Sequence, residues 1–99
     1  MQRQFIATPE LPVERVQTGV RMEKRILKVL KALAEYHDLT LGDLLEGIVL
    51  HAFEGKAPFG AQSKKKIAEL KKIYGLDLNA SHAHKLVEAG PKRTTRRGN

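Results

Sequence analysis

Apolar residues recur along this chain at two different spacings, and the change between them is abrupt. Over residues 16–22 apolar and polar positions alternate, a period of two that is typical of a half-buried β-strand. The apolar face of this stretch consists of Val16, Thr18, Val20 and Met22. Over residues 23–37 apolar residues instead recur every three or four positions, as they do on one side of a helix. The pattern predicts a short strand that leads directly into a first helix.

A second and stronger apolar stripe follows after a short polar interruption. It begins at Leu41 and continues to Phe53, and Gly55 is placed to end the helix. Thr40 is a natural N-cap, and Asp43 lies at the spacing of the acidic partner in a capping box. We therefore predict a second helix between Thr40 and Gly55.

The remainder of the chain is predicted to form two further helices. Ser63 can cap a third helix, with Gly75 as its end. Asn79 or Ser81 can cap a fourth helix that continues to Gly90. These two elements form a predicted C-terminal helical pair.

Together these patterns predict five parts. They are an extended N-terminal arm (1–14), a strand and two helices (15–55), a linker (56–62), the helical pair (63–90) and a basic tail (91–99). Pro9 and Pro12 favour an extended arm, because proline restricts its own backbone and that of the residue before it. The tail carries positive charges and no apolar side chain, and such a composition favours disorder.

Composition adds a charge and excludes some chemistry. The 99-residue chain carries 18 Lys and Arg against 11 Asp and Glu, a net charge of +7. This excess of positive charge favours a polyanionic partner. There is no cysteine, so disulfides and thiolate metal sites are excluded. No apolar run is long enough to suggest a membrane span or a secretory signal, so a cytoplasmic, nucleoid-associated protein without membrane contact is expected.

The predicted strand has no partner within so short a chain. A lone strand exposes two unpaired edges, and the two helices that follow carry more apolar surface than a single hairpin can cover. A symmetric homodimer solves both problems, with the two strands paired as an antiparallel ribbon above a shared helical core. The predicted fold class is mostly α with one short strand, an intertwined homodimer with a two-stranded antiparallel ribbon and a C-terminal helical extension.

This order of elements resembles the ribbon-helix-helix superfamily of DNA-binding repressors, the Arc/MetJ/CopG type. The resemblance covers residues 16–55, VQTGVRMEKRILKVLKALAEYHDLTLGDLLEGIVLHAFEG. It implies a homodimeric regulator, most simply a repressor, whose ribbon enters the major groove of double-stranded DNA. Side chains on the outward face of the ribbon would then contact base edges, and the N-terminus of the second helix would bind phosphate.

The resemblance places the candidate contacts at particular residues. The base contacts would be Gln17, Gly19 and Arg21. Arginine can bind guanine, and glutamine adenine, through two hydrogen bonds each, whereas Gly19 contributes no side chain. The phosphate contacts would be Thr40, Leu41 and Gly42, at a helix N-terminus that favours anions, together with Arg15. For Arg15 a solvated surface charge is an equal alternative.

Two other functions remain open. The chain could be the antitoxin of a toxin–antitoxin pair, with residues 56–99 folding on the toxin. It could also be a dimeric protein-interaction module that binds no nucleic acid. Enzymatic activity is not expected, because no phosphate-binding loop, metal-ligand cluster or activated nucleophile is recognisable. His82 and His84 lie two positions apart, which places them on different sides of a helix, so no metal or cofactor is expected.

Overall fold

The computed structural model describes residues 10–89 as three helices and a short 3-10 turn. The helices are α1 (Lys24–Tyr36), α2 (Leu41–Phe53) and α3 (Ala61–Tyr74), and the 3-10 turn is Ala80–His82. The basic tail (91–99) and residues 1–9 of the predicted arm lie outside the described residues. The first three of the four predicted helices are therefore confirmed, whereas the predicted strand and fourth helix are not formed within residues 10–89.

The caps explain where two of the helices begin and end. Glu23 caps α1, because its carboxylate accepts a hydrogen bond from the backbone N–H of Ile26 at 2.9 Å. Thr40 caps α2 as predicted, with its hydroxyl accepting from the N–H of Asp43 at 3.1 Å. Between these helices Asp38 has φ 60°, and the N–H of Leu39 donates to the carbonyl of Ala34 at 2.8 Å. This is a Schellman-type end to α1, built on a non-glycine residue in the left-handed region.

Helix α1 is the centre of the molecule. Helices α2 and α3 each pack against α1, and they do not pack against each other. The buried side chains are Val29, Leu33, Ala34, Leu44 and Leu70. Phe59, from the connector between α2 and α3, and Leu76, which follows α3, pack at the edge of this core. The core is therefore small, and α1 supplies most of it.

The predicted ribbon-helix-helix fold is wrong for this structure. Residues 16–22 lie outside any strand, and none of them forms a backbone hydrogen bond with another residue of the described range 10–89. Val16 is 79% exposed and Val20 is 75% exposed, so the predicted apolar face does not enter the core. The physical reason is that a strand requires a backbone neighbour to hydrogen-bond with, and no backbone group of residues 10–89 pairs with this segment.

The predicted C-terminal helical pair consists of one helix, α3, followed only by the 3-10 turn. Helix α3 begins at Ala61 with Gly60 as its N-cap, whereas the prediction placed Ser63 at the cap. Asn79 caps the 3-10 turn, as predicted for a fourth helix, but the turn ends at His82. The next residues, 83–89, form no helix or strand. Leu86 and Val87 consequently remain exposed instead of joining the core.

Candidate nucleic-acid interface

Residues 10–21, which precede α1 in the sequence, form an exposed segment. This segment contains most of the candidate DNA contacts. Every residue in it is exposed, including Gln17, Gly19 and Arg21. Beyond Gly19 and its two chain neighbours, no atom of residues 10–89 lies within 4 Å of the position that a Cβ would take at Gly19. The structure thus leaves the three predicted base-contact residues accessible, without the ribbon that was expected to hold them.

Arg15 is not an isolated surface charge, because it forms a two-pronged ion pair with Glu46 of α2. The distances are 2.8 Å from Nε to Oε2 and 2.7 Å from a terminal guanidinium nitrogen to Oε1. This hydrogen-bonded guanidinium lowers the pKa of Glu46 below its usual value, and the carboxylate in turn raises the pKa of Arg15. The pair joins the middle of the exposed segment to the outer side of α2.

Arg21 is paired in the same manner with Glu88, near the C-terminal end of the described residues. Its Nε donates to Oε1 of Glu88 at 3.2 Å, and its Nη2 donates to Oε2 of the same carboxylate. Both side chains stay largely exposed, at 83% for Arg21 and 66% for Glu88. An exposed pair of this kind is worth little free energy, so Arg21 can leave Glu88 for another acceptor.

The predicted phosphate site at the start of α2 lies between two acidic residues. Thr40 is occupied as the helix cap, and Leu41 and Gly42 form the first turn. Asp38 and Asp43 flank this turn, and their negative charges oppose the binding of an anion there. No hydrogen bond or ion pair within residues 10–89 joins this turn to Gln17 or Arg21. The candidate base contacts and phosphate contacts are thus not assembled into one site by direct interaction.

Positive charge is divided unevenly among the helices, a feature that apolar spacing along the sequence does not show. Seven lysines of α1 and α3 form no ion pair with any residue of the described range: Lys24, Lys28, Lys31, Lys64, Lys65, Lys71 and Lys72. We call these seven residues the lysine rows. By contrast Arg25, at the start of α1, is fully engaged. It donates to Glu23 at 2.9 Å and to the carbonyl of Gly75 and the carboxylate of Asp77 at 3.0 Å each.

One serine–histidine contact lies at the corner where α1 meets α3. The hydroxyl of Ser63 and Nε2 of His37 are 3.0 Å apart, and beside them Gln62 donates to the hydroxyl of Tyr36 at 3.2 Å. Lys66 lies over the ring of Tyr36, with its ammonium 4.9 Å from the ring centre. These contacts fix the end of α1 to the start of α3.

Neither a metal site nor a membrane span is found in residues 10–89, and no known protein matches the chain. Within residues 10–89 no three His, Asp or Glu side chains are grouped so that they could hold a metal ion. None of the helices in that range is long and apolar enough to cross a membrane. Comparison with protein-family models, curated proteins and solved structures found nothing that matches this chain.

Proposed function

We propose that this protein is a homodimeric transcriptional regulator that binds double-stranded DNA and acts by occupying its operator in the cytoplasm. One observation carries the proposal: residues 15–21 are exposed, their backbone makes no hydrogen bond within the described range, and they present Gln17 and Arg21. A segment with free backbone groups and base-reading side chains is suited to become ordered on a nucleic acid.

The chemistry of the two side chains supports sequence-dependent binding. Arg21 can donate two hydrogen bonds to a guanine, and Gln17 can both donate to and accept from an adenine. Glu88 competes for Arg21, so DNA binding exchanges one exposed acceptor for another. A two-stranded ribbon is not part of this proposal, since residues 16–22 form no strand.

The dimer is proposed from the outer face of α2. Eight of the thirteen residues of α2 are apolar, yet only Leu44 among them is buried. Leu50 is 63% exposed and Phe53 is 82% exposed, on the side of α2 that carries Glu46. A helix that is apolar on most sides is normally covered by a partner, and a small domain gains the most from self-association. We therefore assign a second copy of the chain to this face.

Selection of bound sequences from a random duplex pool is the experiment that tests the proposal. We expect enrichment of a short sequence motif, repeated in accordance with a two-fold symmetric dimer. We expect Arg21→Ala to lose about 1–3 kcal/mol for the selected site and to relax the preference at one base position. If no duplex binds more tightly than about 100 μM at low salt, the weak end of ordinary non-specific binding, the proposal is wrong.

One observation favours a second candidate, in which the C-terminal part binds another protein. Residues 83–89 have no helix or strand, and Val87 is 90% exposed. An antitoxin that folds on its toxin would have this property. In that case limited proteolysis of the isolated protein should cut within residues 83–89, and co-expression with the partner should protect them.

A further inference from the structure

Charge is strongly segregated in this molecule. Helices α1 and α3 together carry nine Lys and Arg residues and only two carboxylates, Glu35 and Glu69. The remaining described residues carry four Lys and Arg against nine Asp and Glu. Helix α2 has no Lys or Arg at all. The modest positive excess of residues 10–89 therefore consists of a basic helix pair and an acidic remainder.

The lysine rows are free to bind an external anion. Lys66 is paired with Glu69 at 3.5 Å, and Lys56, outside the helices, is paired with Glu54 at 3.1 Å. The seven lysines of the rows have no carboxylate partner within residues 10–89. All of them except Lys71 are exposed, and Lys71 is half-buried. Their charges are thus not neutralised within the described fold.

The lysine rows follow the helices at regular spacing. Lys24, Lys28 and Lys31 recur every three or four residues, which places them on one side of α1. Lys65 and Lys72 lie seven residues apart on the side of α3 away from Leu70, a rise of about 10 Å. The two helices are antiparallel neighbours, joined at one end by Arg25 and Gly75 and at the other by Tyr36 and Gln62. One rigid unit therefore presents both rows.

We infer that the α1–α3 pair is the phosphate-binding side of the protein, with the sugar–phosphate backbone of double-stranded DNA as its partner. This inference rests on the proposed function and adds a surface to it. Lysine is a compact point charge on a flexible stem, and it suits phosphate contacts that position a protein rather than base contacts that specify a sequence. The start of α2, with Asp38 and Asp43 beside it, is replaced as the main phosphate site.

Matched double substitutions test this assignment in binding measurements with a random-sequence DNA duplex. Lys65→Gln with Lys72→Gln, and separately Lys24→Gln with Lys31→Gln, each remove two charges from the rows. Lys56→Gln with Lys85→Gln removes the same charge from outside α1 and α3 and serves as the control.

We expect each row variant to bind about 5- to 30-fold more weakly than the wild type. The dependence of log Kd on log salt concentration should become shallower by about 1.8, roughly 0.9 for each lost phosphate contact. The control should change neither quantity.

The outcomes separate this inference from the proposed function. If the wild type binds no duplex, the proposed function fails. If the wild type binds and the row variants match the Lys56 and Lys85 control, only the present inference fails. Equal affinity for polyglutamate of the same charge would also overturn it, because an acidic protein would then fit as well as DNA. All six substituted lysines are exposed, so helical circular dichroism and Tm should be unchanged in every variant. Amide shifts of wild-type α1 and α3 on DNA addition provide a check without any substitution.

Discussion

Arg15 and Glu46 join the exposed N-terminal segment to the outer side of α2 through two hydrogen bonds, at 2.8 and 2.7 Å. Glu46 lies four residues before Leu50 and seven before Phe53, which places all three on neighbouring positions of one helix side. The ion pair therefore brings the segment proposed to read DNA close to the surface proposed for dimerisation. A change at either one is expected to affect the other.

The first prediction concerns the protonation of Glu46. Arginine at position 15 lowers the pKa of the Glu46 carboxyl, so Arg15→Gln should raise that pKa toward the ordinary value of about 4.3. Because the folded-state pKa is the lower one, the pair stabilises the fold above the ordinary value and ceases to do so as pH falls through the lowered value. Carboxyl chemical shifts followed by NMR from pH 7 to pH 2 measure this directly.

The carboxyl of Glu23 provides the control for that titration. Its pKa is lowered mainly by the backbone N–H of Ile26 and additionally by Arg25, neither of which involves Arg15. The Glu23 titration should therefore be the same in the wild type and in Arg15→Gln. A shift of both carboxyls would mean that the substitution disturbs the whole fold and not one ion pair.

A second prediction concerns the contact between Arg21 and Glu88. Glu88→Gln removes the negative charge that competes with DNA for Arg21, so affinity for the selected duplex should rise by up to about fivefold. Isothermal titration at low salt can resolve this change. In an Arg21→Ala background the same substitution should have a much smaller effect, and an equal gain in both backgrounds would show that Glu88 acts without Arg21.

The turn between α1 and α2 gives a prediction on stability. Asp38 has φ 60°, a conformation that glycine adopts at lower cost, so Asp38→Gly should raise the free energy of unfolding by about 0.5–1 kcal/mol. Gly75, at φ 65° after α3, already is a glycine in this conformation. Gly75→Ala should therefore lower the free energy of unfolding by about 1 kcal/mol or more. Urea denaturation measures both. Stabilisation by Gly75→Ala would contradict the conformational explanation.

The outer face of α2 gives a prediction on assembly. Phe53→Ser should convert the proposed dimer to a monomer in sedimentation velocity experiments, because it removes an apolar side chain that is 82% exposed in the single chain. Helical content should be preserved, since Phe53 contributes little to the core of the monomer. Ile73→Ser, at an exposed apolar residue of α3, is the control and should leave the sedimentation coefficient unchanged.

The helices could be predicted closely from sequence because their determinants are local. Apolar spacing placed the first helix at residues 23–37, and α1 is Lys24–Tyr36. Thr40 as a cap and Gly75 as an end were also confirmed, since a hydroxyl before a helix and a glycine after it act on adjacent backbone groups. The predicted apolar stretch from Leu41 to Phe53 contains the buried Leu44, but Phe53, on the opposite side of the helix, is exposed. Spacing identifies an apolar side and does not show whether anything covers it.

The strand and the phosphate surface could not be predicted in the same manner. The alternation that includes Val16 and Val20 indicates a segment with one apolar and one polar face. A strand also depends on a neighbour that lies elsewhere in the sequence. The pairing of Arg15 with Glu46 spans 31 residues, and that of Arg21 with Glu88 spans 67. The lysine rows belong to one unit only because α3 packs against α1. Each of these features depends on tertiary contacts.

Hydrogen–deuterium exchange of the wild-type protein, with and without a saturating duplex at low salt, tests the central claim most directly. Amides of residues 15–21 have no hydrogen-bond acceptor within the described range, so in the free protein they should exchange rapidly. On DNA binding we predict that these amides slow markedly, while the buried side of α1 around Leu33 stays as it was. Unchanged rapid exchange of residues 15–21 in the complex would contradict the assignment of this segment as the DNA-reading element.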